Sequence, residues 1–400
     1  MRRSIVGLVF AALLVSVDAR AQTVGAGEAL TDNLNLGAGF PDQIEVLLAT
    51  FRAETTSFPL GSAAGGFTWM FDPSLGVSTR RSNSFGPVFA ERPLTNGRGK
   101  LNIGVAYQHT GWDSVAGQKL SKIDLTFTDT TRVGNVTNVR SDTFGSEIDL
   151  STDRTTISAT YGVHDRVDVG IVVPIGRTRV SGVSRFRSTF NGAVTEDTPF
   201  TQEGSSSGIG DVVLRGKFMA FARPWLDLAG DVNLRLPTGD EENLLGIGNT
   251  QTKLSLIGAT TRGRVAPHVN VGYTFGGKGM TFDTDGTLLE AHPSDEFDYT
   301  FGAEIATHES VTVVADVIGR VLKDSANLSY GTTTSTFGGD SFSETGLSYT
   351  PGSVKLLLGT VGVKVKVHGL WLVTGSVLFP MNDNGVKPGL TPVVGFERSF

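Results

Sequence analysis

No cysteine occurs in the 400 residues, which excludes disulfides and every cysteine-based metal or redox site. Charge is sparse, with 18% Asp, Glu, Lys and Arg. The basic residues, 34 against 40 acidic ones, are scattered and outnumbered, so nothing points to a nucleic-acid partner. Long apolar runs are lacking too. The one continuous run, "IVGLVFAALLVSV", is shorter than the ~20 residues of a spanning helix. It follows Arg2 and Arg3 and precedes Ala19-Arg20-Ala21, the order of a secretory signal. Residues 1–21 are therefore expected to be a removed signal peptide, which would take the net charge from −6 to −8 through loss of Arg2, Arg3, Asp18 and Arg20.

Catalytic patterns are equally scarce. There is no H-E-x-x-H, no P-loop and no G-x-G-x-x-G between strand and helix, and no stretch argues for a Ser-His pair held by a third group. Of the six histidines, His164, His308 and His368 fall in short turns, and only His268 shares a strand face with other polar groups. No enzyme activity and no cofactor is expected.

What the chain has in quantity is glycine, 51 residues, which disfavours long helices. From residue 99 onward it breaks into segments with a period of two. "VTVVADVIGRV" sets Val311, Val313, Ala315 and Val317 against Asp316 and Arg320. "LLLGTVGVKVKV" sets Val361, Val363, Val365 and Val367 against Thr360, Lys364 and Lys366. A soluble β-sandwich would alternate in the same way, and the connections decide against it. Short links ("VHDR", "ARPW", "RGR", "HES", "HG") alternate with long polar ones at 181–207, 238–249, 277–296, 323–352 and 381–389. That asymmetry belongs to an outer-membrane barrel.

The segments near 101–112, 154–163, 167–180, 208–222, 226–237, 250–262, 265–276, 297–307, 311–322, 353–366, 370–380 and 390–400 predict an all-β, transmembrane antiparallel β-barrel of twelve strands, with fourteen as the upper bound. An even number puts both termini on the short-turn, periplasmic side. Residues 113–153 become the longest outer loop, within which "KLSKIDLTFTDT" can rise as a hairpin. Trp225 and Trp371 near short turns, and Tyr107, Tyr273, Phe275 and Phe379 near long loops, suit an aromatic girdle. Residues 22–98 break the pattern. They are expected to be an irregular N-terminal segment, either a lumenal plug or a periplasmic lead-in, with two further strands as a third option, before a barrel over 99–400.

In such a barrel charges face the lumen, because charge at mid-membrane on the lipid face is costly. The expected lining is Asp168, Asp211, Arg215, Lys217, Asp227, Asp231, Arg235, Lys253, His268, Asp298, Glu304, Asp316, Arg320, Lys364, Lys366 and Glu397. Its near balance of signs suggests cross-strand pairing in a narrow polar channel. The acidic burst Asp240-Glu241-Glu242-Asn243 has oxygen ligands for a cation but lacks EF-hand spacing, and reads as a hydrated outer turn.

The final "LTPVVGFERSF" resembles the C-terminal signature of outer-membrane barrels, ending on Phe400, although Arg398 stands where an apolar residue is commoner. That resemblance implies contact with the barrel assembly machinery and with outer-membrane lipids. Three further stretches, "GIGDVVLRGKF", "LRLPTGDEENLLGIGNTQ" and "APHVNVGY", resemble the family of outer-membrane barrels named for a MetA pathway of phenol degradation. The resemblance implies passive passage of small solutes, aromatic or apolar molecules among them, and supplies no catalytic residue. The competing expectation is a structural or surface-binding barrel that acts through its long outer loops.

Overall fold

The computed structural model describes residues 24–34, 41–62, 65–72, 74, 76–80, 82–223, 225–276, 295–338 and 340–400. The expected signal peptide, 1–21, lies outside them, as does most of the connection expected at 277–296. Twelve strands form the wall: β1 (Leu101–Val115), β2 (Val136–His164), β3 (Val167–Phe190), β4 (Val213–Ala222), β5 (Asp227–Arg235), β6 (Gln251–Ala259), β7 (Val265–Phe275), β8 (Glu296–His308), β9 (Val311–Phe337), β10 (Asp340–His368), β11 (Trp371–Pro380) and β12 (Thr391–Ser399). Each pairs antiparallel with its sequence neighbour in this series. The ring closes where β12 meets β1, from Val393↔Gln108 to Ser399↔Asn102. Every strand of the wall therefore has a partner on both edges, as a hydrocarbon surround demands.

Alternation decides which residue faces where. On β8 to β10 the outward Phe301, Val313 and Val361 are 51%, 37% and 52% exposed, whereas the inward Asp316 and Arg320 are buried. Apolar outside and charged inside is the reverse of a soluble sandwich. The apolar belt has a visible upper edge: outward positions on β3 run Val169, Ile171 and Ile175, then Arg177 and Arg179. Near that edge Arg179 and His109 both meet Asp153, whose Oδ1 also accepts from the Tyr107 hydroxyl at 2.6 Å.

Two of the connections expected to be long polar loops are paired sheet instead. β9 and β10 stay paired, through one register shift between Leu322 and Ser325, up to Phe337↔Asp340, so 323–352 is a ribbon. Residues Ala193–Ile209 pair with β3 through most of 181–207. Ile123–Val133 forms the expected hairpin with β2 and also joins β10, Ser341↔Thr130 to Thr345↔Thr126. These ribbons build a collar above the long-connection rim. Their Thr- and Ser-rich stretches, such as "GTTTSTF", favour strand backbone but carry no apolar belt. The alternation that marks the wall is therefore missing from them.

Two helices, α1 (Ala26–Leu34) and α2 (Pro41–Thr56), precede the barrel, and a small hairpin pairs Trp69–Asp72 with Val77–Arg80. No described helix is long and apolar enough to cross a membrane. Val24 bridges Gly204 in the collar, whereas Phe400 bonds Leu101 at the short-turn rim. The two ends of the barrel itself, Leu101 and Phe400, thus share the short-turn rim, with Val24 at the other.

The outward placement of β6 is directly testable. Leu256 is 56% exposed while its neighbour Ile257 is fully buried inside. Leu256→Lys should cost about 2–4 kcal/mol in denaturant titrations of the folded chain in lipid vesicles. An unchanged midpoint would mean that this face is not in contact with lipid.

Candidate functional site

Residues 41–98 meet the inward side chains through two kinds of contact. Towards the long-connection rim the contact is apolar: Leu48, Phe51 and Phe58 share one buried cluster with Trp112, Ile318, Leu358, Leu378 and Val393. Phe58 packs edge-on to Trp112 at 5.5 Å between ring centres. Inward positions on the wall are thus partly apolar, which the expectation of a wholly charged lumen missed. Towards the short-turn rim the contact is mostly polar, beside one apolar patch in which Phe67 and Phe85 bury Leu372 of β11. Phe85 N–H donates to Thr312 Oγ1 (3.1 Å) and Gly86 N–H to Glu304 (3.0 Å). Arg92 pairs with the same Glu304 at 3.2 Å, both buried. Asn96 N–H donates to Asp168 (3.0 Å), and Lys217 Nζ donates to the Leu94 carbonyl (3.0 Å). Gly86 has φ +84°, a backbone state open to glycine at little cost, and a Cβ there would meet the Arg92 guanidinium at 2.6 Å.

The expected lining residues separate into groups. Arg215, Asp231, Arg235, Lys253, Asp298 and Arg320 come together around one cavity of about 170 Å³ between residues 57–91 and β4 to β9. Three of its cations are paired: Lys253 with Asp298 (2.6 Å), Arg320 with Glu296 (2.6 Å) and Arg215 with Glu91 (2.9 Å). Arg235 reaches the Thr56 carbonyl at 3.5 Å. A second group lies apart: His268 Nε2 is 2.8 Å from Asp316, and His268 Nδ1 is 3.9 Å from Glu304. Lys217 sits 3.6 Å from Asp168 and Lys364 3.9 Å from Glu397. Asp227 is buried and Lys366 half-buried, away from the cavity. Asp211 holds a loop: its carboxylate accepts from Gly239 N–H (3.0 Å) and Ile247 N–H (2.8 Å). That pulls residues 238–249 inward until Leu244 is buried with Ala26 and Leu30 of α1. "GDEEN" is consequently the lip of a packed loop, where Asp240 caps Asn243 through its N–H and side-chain amide. Among the described residues no three acidic or histidine groups are gathered as a metal site.

Three of the charge pairs cross an intervening strand, Lys364–Glu397 over β11 among them, and for the other two a glycine makes the room. Lys253 on β6 reaches Asp298 on β8 over Gly272 on β7; a Cβ at 272 would lie 2.6 Å from both side chains. His268 on β7 reaches Asp316 on β9 over Gly302 on β8, where a Cβ would lie 2.2 Å from the carboxylate. Several participants escaped the sequence reading. Glu296 and Arg154 share the inward parity of their strands and were open to it. Glu54, Glu91 and Arg92 lie in a helix and a loop without strand periodicity, so no positional signal marks them.

Glu54 ties α2 to the connection between β11 and β12. Its carboxyl accepts the Val386 N–H at 2.7 Å, and burial pushes its pKa up to about 8, against the lowering effects of that bond and of Arg320. An acid whose folded pKa is raised stabilises the fold fully below its ordinary value of 4.5, and that contribution is lost as pH rises through about 8. Thermal melting in micelles should accordingly fall between pH 5 and pH 9, and Glu54→Gln should flatten the dependence. A slope unchanged by Glu54→Gln would assign it to other groups. Gly302→Val should break the His268–Asp316 bond and lower stability by about 1–3 kcal/mol, readable in the same melts.

Solved structures similar to this chain are barrels. An outer-membrane channel from Pseudomonas putida F1 matches at 13% identity with a TM-score of 0.48, covering 76% of this chain and 96% of that one. The monoaromatic hydrocarbon channel CymD matches at 11% and 0.36, covering 76% and 89%. The toluene transporter TbuX of Ralstonia pickettii matches at 10% and 0.32, covering 76% and 90%. A sequence comparison with curated proteins found no match. The family described as "Putative MetA-pathway of phenol degradation" matches residues 127–349. That span is more than half of the chain and runs from the collar hairpin into β10, so this protein belongs to that family.

Proposed function

We propose that the chain is a channel of the bacterial outer membrane through which small molecules cross passively, with residues 24–98 as its plug. One observation carries the reading: the N-terminal segment lies against the inner wall from rim to rim, yet leaves a 170 Å³ cavity beside it. The polar half of its seat is made of hydrogen bonds and ion pairs, whose groups water can satisfy once it is admitted beside the segment. The apolar half, around Phe51 and Phe58, has no such substitute and would stay in place. Small aromatic or apolar molecules are the solutes that the family description raises.

The collar supports a second reading. Strands of 27 to 29 residues far exceed the ~10 that cross a membrane, and the surplus is surface on which a binding partner could rest.

Efflux from liposomes separates the two readings. A chain lacking residues 24–98 should release small solutes several-fold faster than the full chain. Equal rates would remove the plug, and no release from either would remove the channel and favour the collar as the working surface.

A further inference from the structure

Resting on the channel reading, we propose that the cavity is a binding site for a small neutral molecule with an apolar face and two or more hydrogen-bond donors along one edge, a polyhydroxylated ring. The argument begins with what remains once the cavity's internal pairs are formed. Lys253, Arg320 and Arg215 each hold a carboxylate, and Arg235 and Asp231 complete a lining of four cations and four carboxylates, so the cavity has little net charge to offer an ionic solute. Four buried oxygens nevertheless have no donor in hydrogen-bond geometry: Asp231 Oδ1, Asn233 Oδ1, Asn270 Oδ1 and Asp298 Oδ2, with Ser255 beside the Asp231 carboxylate. Asp231 and Asp298 are both 8% exposed, and all four residues line the cavity.

These orphan groups are acceptors. Asn233 cannot be turned to change that, because its Nδ2 already donates to the other Asp231 oxygen. A solute carrying hydroxyls satisfies them by donating. A hydrocarbon leaves them desolvated and unpaired, and a site with unpaired buried polar groups rejects the analogue that lacks the matching donor. A carboxylate solute brings further acceptors to a wall that already has too many. The facing wall is different in kind: Pro59, Leu60 and Phe89 of the N-terminal segment, with Val213 and Ile318, offer apolar surface. One polar edge and one apolar face describe a flat ring hydroxylated on one side. At 170 Å³ the space is below the ~300 Å³ of pockets for drug-sized ligands, which fits a single ring.

The test is calorimetric titration of the full chain in detergent with size-matched rings: catechol with two donors, phenol with one, toluene with none and benzoate as the acceptor-only anion. Catechol should bind about tenfold tighter than phenol, with toluene and benzoate weaker still. Asp231→Ala and Asn270→Ala should each weaken catechol roughly five- to tenfold and leave toluene unchanged. Asp231→Asn, which keeps an acceptor oxygen, should stay close to the parent. Folding of each variant is read from its heat-modifiable gel mobility, and Asn270→Ala decides the matter if Asp231→Ala does not fold. Toluene binding as tightly as catechol, or catechol affinity indifferent to both alanine variants, overturns the site. Liposome efflux of the same rings keeps the two readings apart. Efflux without donor preference or catechol binding sinks the site and leaves the channel; binding without efflux sinks the channel and leaves the site.

Discussion

Closure is the constraint on which everything else depends. In hydrocarbon an unpaired backbone N–H or carbonyl has no water to turn to, and only a sheet closed on itself leaves no edge. Here the closing ladder joins β12 to β1, ending at Ser399↔Asn102 with Phe400 and Leu101 bonded beyond it. Once the ring is closed, a period of two separates the side chains without further choice. Outward positions must be apolar to meet lipid, and the chain's charges are left with the interior. Those charges would be expensive if buried alone, so the interior must hold partners for them.

The partners come from two sources, and they explain why the described N-terminal residues lie against the inner wall. Strand-to-strand pairs such as Lys253–Asp298 neutralise charges within the wall, and they need Gly272 to let them cross the strand between. The remaining charges are met by the segment itself: Glu304 by Arg92 and the Gly86 N–H, Asp168 by the Asn96 N–H, Arg215 by Glu91. Since removing one partner from a buried pair leaves an uncompensated charge, the wall and the segment stabilise each other's placement. The apolar seat around Phe51, Phe58 and Trp112 sets where the segment lies, and the ion pairs set its register.

Much of the wall was legible because lipid imposes a simple rule. Val361, Val363 and Val365 alternate with Thr360 and Lys364 for one reason only, and all twelve strands fall at the expected segments. Two features were hidden for opposite reasons. The outer end of the β9–β10 ribbon is exposed on both faces, so "GTTTSTF" needs no alternation and resembles a loop. The inward apolar residues Ile318, Leu358 and Leu378 obey the period, but the sequence does not say that another part of the chain will cover them. The lining was legible residue by residue and illegible as a site. Parity puts Asp231 and Lys253 inside, but only the register and the path of residues 57–91 bring them to one cavity and send Asp211 to the 238–249 loop.

The same reasoning bears on what a lumen of this kind can discriminate. A wall whose charges balance in sign, most of them in pairs, presents mainly dipoles, and dipoles select by hydrogen-bond direction more than by net charge. The N-terminal segment contributes the opposite quality, an apolar surface from Pro59, Leu60 and Phe89. Neither surface alone would separate a hydroxylated ring from a hydrocarbon or from a sugar. Together they do, because the hydrocarbon leaves the wall's oxygens bare and the sugar sets hydroxyls against the apolar side. Selectivity in this barrel would then depend on the segment staying seated while a solute passes. The division of its contacts provides for that, with the larger apolar anchor near the long-connection rim and most of the polar contacts near the short turns.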